Sequence, residues 1–229
     1  MQPIFLLKGL KENALIETGT FRNGGTKQQM DIKKGHSPLA DFARSIYPEI
    51  SNETLSYINE HCFTFKVRKG AFLLKEGDKN DYIFLIVKGA FRSFFKDGSK
   101  QIITWIAIEN SMIASSQGLS NYEIVSEYIQ AIENSELVCA SYKDLNLLYK
   151  LQPEMNIVGR KLYEEYLRFS DVRAIITRLS NATSKYNYFQ KTHPHLNNRI
   201  PLKYIAAYLG IRVETLSRIR GRLSKTKRK

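Results

Sequence analysis

Cysteine is scarce in this chain, and no apolar run is long enough to cross a membrane. Among the 229 residues only Cys62 and Cys139 are cysteines, and no CxxC pair occurs. A disulfide scaffold, a zinc site and a four-cysteine iron–sulfur cluster therefore lack ligands, and we expect two buried free thiols. The apolar run at residues 3–7 is too short for a signal peptide, and no apolar stretch approaches about 18 residues. We expect a soluble, non-exported, cytoplasmic protein.

The patterns of common enzyme sites are also missing. The sequence has no phosphate-cradling glycine-rich loop, no HExxH, no nucleophile elbow, and no His and carboxylate cluster with catalytic spacing. His193 and His195 flank Pro194 in a predicted loop, where we expect them to be exposed rather than ligating. We predict a protein that is not an enzyme, with no catalytic residue, no metal and no cofactor.

The net charge of +13 is concentrated at one end of the chain. Residues 37–150 carry a net charge of −2, whereas residues 180–229 carry twelve Lys and Arg against Glu214 alone, a net charge of +11. Such a polycationic segment is typical of a domain that neutralises phosphates. A solvated basic tail is the alternative. It accounts for residues 225–229 but not for the patterned residues before them.

Changes of pattern along the chain predict four regions and an α+β protein. Residues 1–36 form an extension of uncertain order, residues 37–152 a β-rich domain, residues 153–179 a long helix, and residues 180–229 a helical basic domain.

Short strands separated by glycine-bearing turns dominate the β-rich domain. They follow amphipathic helices between Leu39 and Ile58, with a helix N-cap in residues 51–54. We predict strands at residues 63–65, 72–74, 82–87, 91–95, 102–108 and 137–141, and a helical segment at 144–151. This spacing indicates an antiparallel, jelly-roll-like β-roll rather than a parallel sheet with crossover helices.

The helix predicted from residue 154 to residue 179 has one narrow apolar seam. Its members recur at steps of three and four: Val158, Leu162, Tyr166, Phe169, Val172, Ile176 and Leu179. The seam can pack on its own β-roll or on a symmetry mate as a two-stranded coiled coil. We favour the dimer, because the helix links two domains and has only one stripe to bury.

Residues 200–223 carry the most specific motif, a helix-turn-helix. Leu202, Ile205, Ala206 and Leu209 form one apolar face, and Gly210 provides the left-handed residue that ends the first helix. Val213, Leu216, Ile219 and Leu223 are predicted to face the core from the second helix. The residues then left facing outward are Arg212, Glu214, Thr215, Ser217, Arg218 and Arg222. The alternative is a helical hairpin whose charged face is only solvated.

These outward residues have the chemistry of DNA readers. Arg218 can donate two hydrogen bonds to guanine O6 and N7, and Glu214 can accept one from cytosine N4. The predicted phosphate contacts, which position the helix without reading sequence, are Arg212, Thr215, Ser217, Arg220 and Arg222. A lone acidic residue in so cationic a segment favours base reading.

The chain resembles the CRP/FNR family of bacterial regulators over residues 38–224. The resemblance rests on the spacing of Glu214, Thr215 and Arg218, and on the turns Lys69-Gly70, Glu76-Gly77-Asp78 and Val87-Lys88-Gly89, which are similar to those of a cyclic-nucleotide-binding-type β-roll. It implies a β-roll sensor domain, a long dimerisation helix and a C-terminal winged helix-turn-helix, with regulation of promoters as the biology.

One departure from the family concerns the effector. Members that bind cyclic nucleotides hold the phosphate with a Gly-Glu pair and a nearby arginine. In this chain the corresponding region comprises residues 113–119 and 124–127, and no arginine occurs between Arg92 and Arg160. A buried phosphate without a cation is disfavoured, and Glu127 would repel it. We expect no binding of cyclic AMP or GMP, and an effector that is unknown or absent.

The leading hypothesis is therefore a homodimeric regulator that binds a pseudo-palindromic site on double-stranded DNA, with RNA polymerase as a candidate further partner. The alternative is a ligand-sensing signalling protein that acts through protein–protein contacts. Replacing Arg218 and Glu214 by alanine distinguishes them, because only the first hypothesis requires promoter binding to be lost.

Overall fold

The computed structural model describes residues 20–23, 26–31, 36–115 and 125–226, and these residues form a mixed α+β protein. The strands are β1 (Thr20–Asn23), β2 (Thr26–Asp31), β3 (Cys62–Val67), β4 (Phe72–Leu74), β5 (Tyr82–Lys88), β6 (Ala90–Asp97), β7 (Lys100–Ile108), β8 (Met112–Ile113), β9 (Tyr128–Ala131) and β10 (Ser135–Ser141). The helices are α1 (Pro38–Ile46), α2 (Asn52–Glu60), α3 (Tyr142–Leu151), α4 (Glu154–Arg178), α5 (Ala182–Thr192), α6 (Leu202–Leu209) and α7 (Val213–Thr226), with a 3-10 turn at Pro194–Leu196.

The strands form two antiparallel sheets, which confirms the predicted β-roll. One sheet has the order β1-β2-β3-β10-β5-β8, and the other has the order β4-β9-β6-β7. Alternate side chains of both sheets point into a shared interior, since successive residues of a strand face opposite sides. Fully buried residues such as Phe65, Phe84, Phe91 and Leu137 fill this interior. The six predicted strands and the helix after them are all present.

Three features of the sheets were not predicted from the sequence. The hairpin β1-β2 lies within the extension at residues 1–36 and pairs with the edge of β3. The short strands β8 and β9 complete the two sheets, and β9 lies between β4 and β6. These segments were missed because they are short or lack a two-residue apolar alternation.

The helices α1, α2 and α3 and the first turns of α4 cover the outer face of the β3-β10-β5 sheet. Their apolar residues pack together with Cys62 and Val138 in one buried cluster. Ser51 caps α2 through its side chain, as predicted, and its hydroxyl also donates to Glu154 at the start of α4, at 2.6 Å.

Cys62 and Cys139 are buried free thiols, and burial raises the pKa of both. That prediction is confirmed.

The long helix α4 packs against its own chain only at its two ends. Val158 is buried against the α1–α3 layer, and Ile176 is buried near the C-terminal helices. Between them the helix exposes five large apolar side chains, of which Tyr163 is 66% exposed and the others about half: Tyr166, Leu167, Phe169 and Ile175. The seam is thus half covered by the chain itself.

No described helix is both long and apolar enough to span a bilayer.

The turn between β5 and β6 requires glycine at position 89. Gly89 has φ of +110°, and a Cβ atom there would lie 2.8 Å from the Cα of Ser135. Gly98 also has a positive φ, of +57°, but a Cβ atom at that position would meet open space. We expect Gly89→Ala to lower the free energy of unfolding by about 3 kcal/mol, against about 1 kcal/mol for Gly98→Ala. Urea denaturation of both variants measures the difference, and equal losses would contradict this account of the turn.

Candidate nucleic-acid interface

The helices α6 and α7 form the helix-turn-helix that the sequence predicts. Gly210 ends α6 in the left-handed conformation, with φ of +64°, and its N–H donates to Ala206 and Ala207. The N–H of Ile211 donates to the Ala206 carbonyl at 3.0 Å, which closes the turn. Ile205, Ala206 and Leu209 are fully buried, as predicted for the inner face of the first helix.

The second helix, α7, buries one face and exposes the other. Leu216 is fully buried and Ile219 nearly so. The residues Glu214, Ser217, Arg218 and Gly221 are exposed, and they recur at steps of three and four residues, so they form one stripe along the helix. Because Gly221 has no side chain, this stripe has a flat end beside Arg218. A polar stripe on a helix backed by apolar packing is the shape that fits a DNA major groove.

The other predicted contact residues lie around this stripe. Arg212 immediately precedes α7 and Arg222 lies in its second half; both are exposed, and Thr215 is half-buried on the flank of the helix. Arg220 is half-buried, and its guanidinium donates to the Asn197 carbonyl at 3.4 Å and to the Asn198 side chain at 3.3 Å. These contacts hold Arg220 toward the preceding loop, so it lies further from the stripe than the other basic residues.

Val213 departs from the sequence analysis. It was predicted to face the core with Leu216 and Ile219, but it is 37% exposed. Val213 is the first residue of α7, and no further turn precedes it to cover its side chain.

The described part of residues 180–226 contains helices and no strand. The β-hairpin wing implied by the family resemblance is therefore not found there, although the rest of the architecture is. Between α5 and α6 the chain forms the 3-10 turn Pro194–Leu196 and then reaches Pro201. Proline has no backbone N–H and cannot join a strand ladder through it.

His193 is also less exposed than we expected. Its ring stacks on Phe189 with centroids 5.2 Å apart, and burial lowers its pKa. The described residues contain no group of His, Cys, Asp and Glu side chains suited to hold a metal.

The helix-turn-helix packs directly on the β-roll. The outer face of β6 and β7, represented by Ala90, Phe94 and Ile103, shares one buried cluster with Ile205 and Leu216 of α6 and α7. Ile176 of α4 and Phe189 of α5 belong to the same cluster. Helix α7 is thus fixed to the sheet through side chains that are far apart in sequence.

Two arginines at this junction were not singled out by sequence reasoning as interface residues. Arg92 of β6 is almost fully buried, and its guanidinium lies 4.1 Å from the ring centroid of Tyr204 of α6 and 4.3 Å from that of Phe94. Arg199, in the loop before α6, forms salt bridges with Glu109 and Glu133 of the β-roll. The signal of Arg199 was weak, because a lone arginine in a basic segment resembles a phosphate contact.

The interior of the β-roll carries a buried carboxylate. Glu127 is 4% exposed, and the Ser93 hydroxyl donates to it. Residues 113–115 and 125–127 of the predicted effector region are described, whereas residues 116–124 lie outside the described residues. Most of the buried apolar residues in this interior are aromatic or aliphatic.

Comparisons with known proteins agree with this architecture. Residues 64–151 match the family described as cyclic nucleotide-binding domain. The transcriptional activator proteins Anr of Pseudomonas protegens and FnrA of Stutzerimonas stutzeri are 24% and 25% identical over 168 and 166 residues, which is 67% of this chain and 67% of each relative. The structure of FixK2 from Bradyrhizobium japonicum superposes with a TM-score of 0.62 at 19% identity, over 72% of this chain and 86% of that one.

The domain match covers most of the β-roll, the curated relatives are transcriptional activators, and the fold continues into the helices that follow. The resemblance to CRP/FNR regulators predicted from the sequence is confirmed, and residues 64–151 belong to the cyclic nucleotide-binding domain family.

Proposed function

We propose that this protein is a sequence-specific, homodimeric transcription regulator that reads double-stranded DNA with α7. The observation that carries the proposal is the exposed stripe of Glu214, Ser217 and Arg218 on a helix whose opposite face is buried. The curated relatives Anr and FnrA are transcriptional activators, which supports the same function here. RNA polymerase is a candidate further partner of such a regulator.

The stripe divides the contacts into two kinds. Arg218 presents a planar fork of donors that matches guanine, and Glu214 accepts from cytosine. Arg212, Thr215, Ser217, Arg220 and Arg222 position the helix on phosphates. Arg220 contributes least of these, because its guanidinium is directed to Asn197 and Asn198.

The proposed domains follow the predicted division of the chain: an extension at 1–36, a β-roll sensor at 37–152, a dimerisation helix at 153–179 and a DNA-binding domain at 180–229. The exposed middle of α4 supports dimerisation. Tyr163, Tyr166, Leu167 and Phe169 are all about half exposed or more, and neighbouring exposed apolar side chains of this size mark an interaction surface. A second copy of the same helix would cover this surface, and a two-fold dimer would place two recognition helices about 34 Å apart.

The sensor domain is proposed to bind neither cyclic AMP nor cyclic GMP. The buried carboxylate of Glu127 would repel a cyclic phosphate, and the sequence holds no arginine from residue 93 to residue 159. The effector is therefore of another chemical class, or the protein acts without one.

Substitutions on α7 test the division between base and phosphate contacts. We expect Arg218→Ala to reduce the preference for a selected operator over a scrambled duplex by about 10- to 100-fold, since a bidentate pair discriminates by about 1–3 kcal/mol. Arg212→Ala is expected to weaken binding to both duplexes alike. It should also reduce the slope of log affinity against log salt concentration by about one. Arg160→Ala removes the same charge from α4 and is the control. Retained preference in Arg218→Ala would contradict its reading role.

The dimer is tested by a charge placed on the middle of α4. Leu167→Glu should raise the dimer dissociation constant by about 100-fold or more, because an unpaired charge would be buried between two helices. Ile102→Glu is the control, since Ile102 of β7 is 49% exposed, close to the 50% of Leu167. Sedimentation velocity measures the oligomeric state. A dimer that withstands Leu167→Glu would show that another surface holds the two copies together.

Calorimetric titration with cyclic AMP and cyclic GMP tests the effector proposal. We expect no saturable heat, with dissociation constants weaker than about 1 mM. Saturable micromolar binding of either nucleotide would mean that other groups stabilise the phosphate, and would overturn the proposal.

A further inference from the structure

The DNA-binding region is joined to the β-roll by a charged cluster that lies apart from the recognition stripe. Arg199 donates from Nη1 and Nη2 to the two carboxylate oxygens of Glu109, at 2.5 and 2.7 Å. It donates from Nε and Nη2 to the two carboxylate oxygens of Glu133, at 3.1 and 2.8 Å. Both carboxylates therefore bind the same guanidinium in two-point fashion. This geometry fixes direction as well as distance.

The cluster is partly shielded from water. The side chains of Arg199, Glu109 and Glu133 are 31%, 30% and 33% exposed. The hydrogen bonds from Arg199 lower the pKa of Glu109 to about 2, and those to Glu109 and Glu133 raise the pKa of Arg199. Arg199 and Glu109 are therefore both charged at neutral pH. Arg199 is accordingly already engaged on the protein.

Both carboxylates belong to the turns of the β-roll. Glu109 follows β7 and also accepts the N–H of Gly89, at 2.7 Å, from the β5–β6 turn. Glu133 lies between β9 and β10, where its carbonyl accepts the Ser135 hydroxyl at 2.9 Å. Arg199 lies three residues before α6. The cluster therefore connects three turns of the sensor to the first helix of the helix-turn-helix.

The docked arrangement leaves the reading stripe accessible. Glu214, Ser217 and Arg218 are exposed while Arg199 is bound to the β-roll and Arg92 is stacked on Tyr204. The contact with the β-roll therefore does not cover the surface that would meet DNA. A helix held in one orientation loses less conformational freedom on binding than a loosely attached one.

We propose that Arg199, clamped by Glu109 and Glu133, is a positioning residue that holds the recognition helix in its DNA-binding orientation. Through these bonds the turns of the β-roll directly hold the position of α6 and α7. This inference rests on the proposed function, because its consequence is measured on DNA.

The carboxylates offer a test in which simple electrostatics and the clamp predict opposite results. Glu109→Gln with Glu133→Gln removes two negative charges and makes the protein a better polycation, so charge alone would strengthen DNA binding. Loss of the clamp instead weakens binding to the selected operator by about fivefold or more. The matched control is Glu53→Gln with Glu60→Gln, which makes the same charge change at exposed positions of α2.

A second measurement, made without DNA, separates the clamp from the proposed function. Hydrogen exchange of α6 should be faster in the Glu109→Gln, Glu133→Gln protein than in wild type, and unchanged in the control. Arg199→Lys keeps the charge but lacks the planar guanidinium. It should likewise speed hydrogen exchange in α6 and weaken binding to the operator. Because glutamine has the same shape as glutamate, and lysine keeps the charge and most of the length of arginine, wild-type circular dichroism is expected for each variant.

The outcomes are distinguishable. Faster exchange in α6 together with weaker operator binding supports the clamp. Unchanged exchange, or faster exchange with equal or tighter operator binding, overturns the positioning role. If the wild-type protein prefers no duplex over a scrambled one, the proposed function fails, while the exchange measurement still reports whether the clamp fixes α6.

Discussion

One buried apolar cluster joins the outer face of β6 and β7 to the helices that would read DNA. Phe94 on the sheet, Ile176 at the end of α4 and Ile205 of α6 are each almost completely buried in it. Burying one such side chain contributes about 1.5–3 kcal/mol, whereas a partly exposed ion pair contributes about 0–1 kcal/mol. The cluster therefore provides the attachment, and the directional bonds of Arg199 determine the orientation. An apolar contact alone tolerates small rotations, but two carboxylates facing one planar guanidinium do not.

The long helix α4 makes different contacts at its start, in its middle and at its end. Its start packs in the α1–α3 layer, with Glu154 bonded to the Ser51 cap of α2. Its end enters the cluster beneath the helix-turn-helix, where Arg173 donates to the Thr104 carbonyl of β7 at 2.7 Å. Its middle carries most of the large apolar side chains that it leaves in water. A dimer formed there would leave both ends, and hence the orientation of each recognition helix, under the control of the same chain.

The sequence was sufficient for local structure and less so for contacts between distant elements. Gly210 and the apolar spacing of α6 identified the helix-turn-helix, because a left-handed residue between two amphipathic helices has few other uses. The seam of α4 was correct in its spacing, yet periodicity cannot tell which of its residues meet the same chain. Phe169 is half exposed and Ile176 is buried, although both follow the same rule.

The contacts of Arg92 and Arg199 could not have been found in this way. Glu109 and Arg199 are 90 residues apart, and nothing local marks either as a partner of the other. The wing was expected only through the family resemblance, and the segment between α5 and α6 carries two prolines that oppose a strand there. Family resemblance therefore predicted the architecture. The junction that orients the recognition helix depends on contacts between residues distant in sequence, which only the three-dimensional structure shows.

The central claim is that two α7 helices of one dimer read two half-sites together, and a half-turn insertion tests it most directly. An operator selected from a randomised duplex pool would be compared with the same operator lengthened by about 5 base pairs at its centre, which turns one half-site to the opposite side of the duplex. The account predicts that affinity falls nearly to that for scrambled DNA. Undiminished binding to the lengthened duplex would show that each helix reads its site alone, and would contradict the dimeric mechanism.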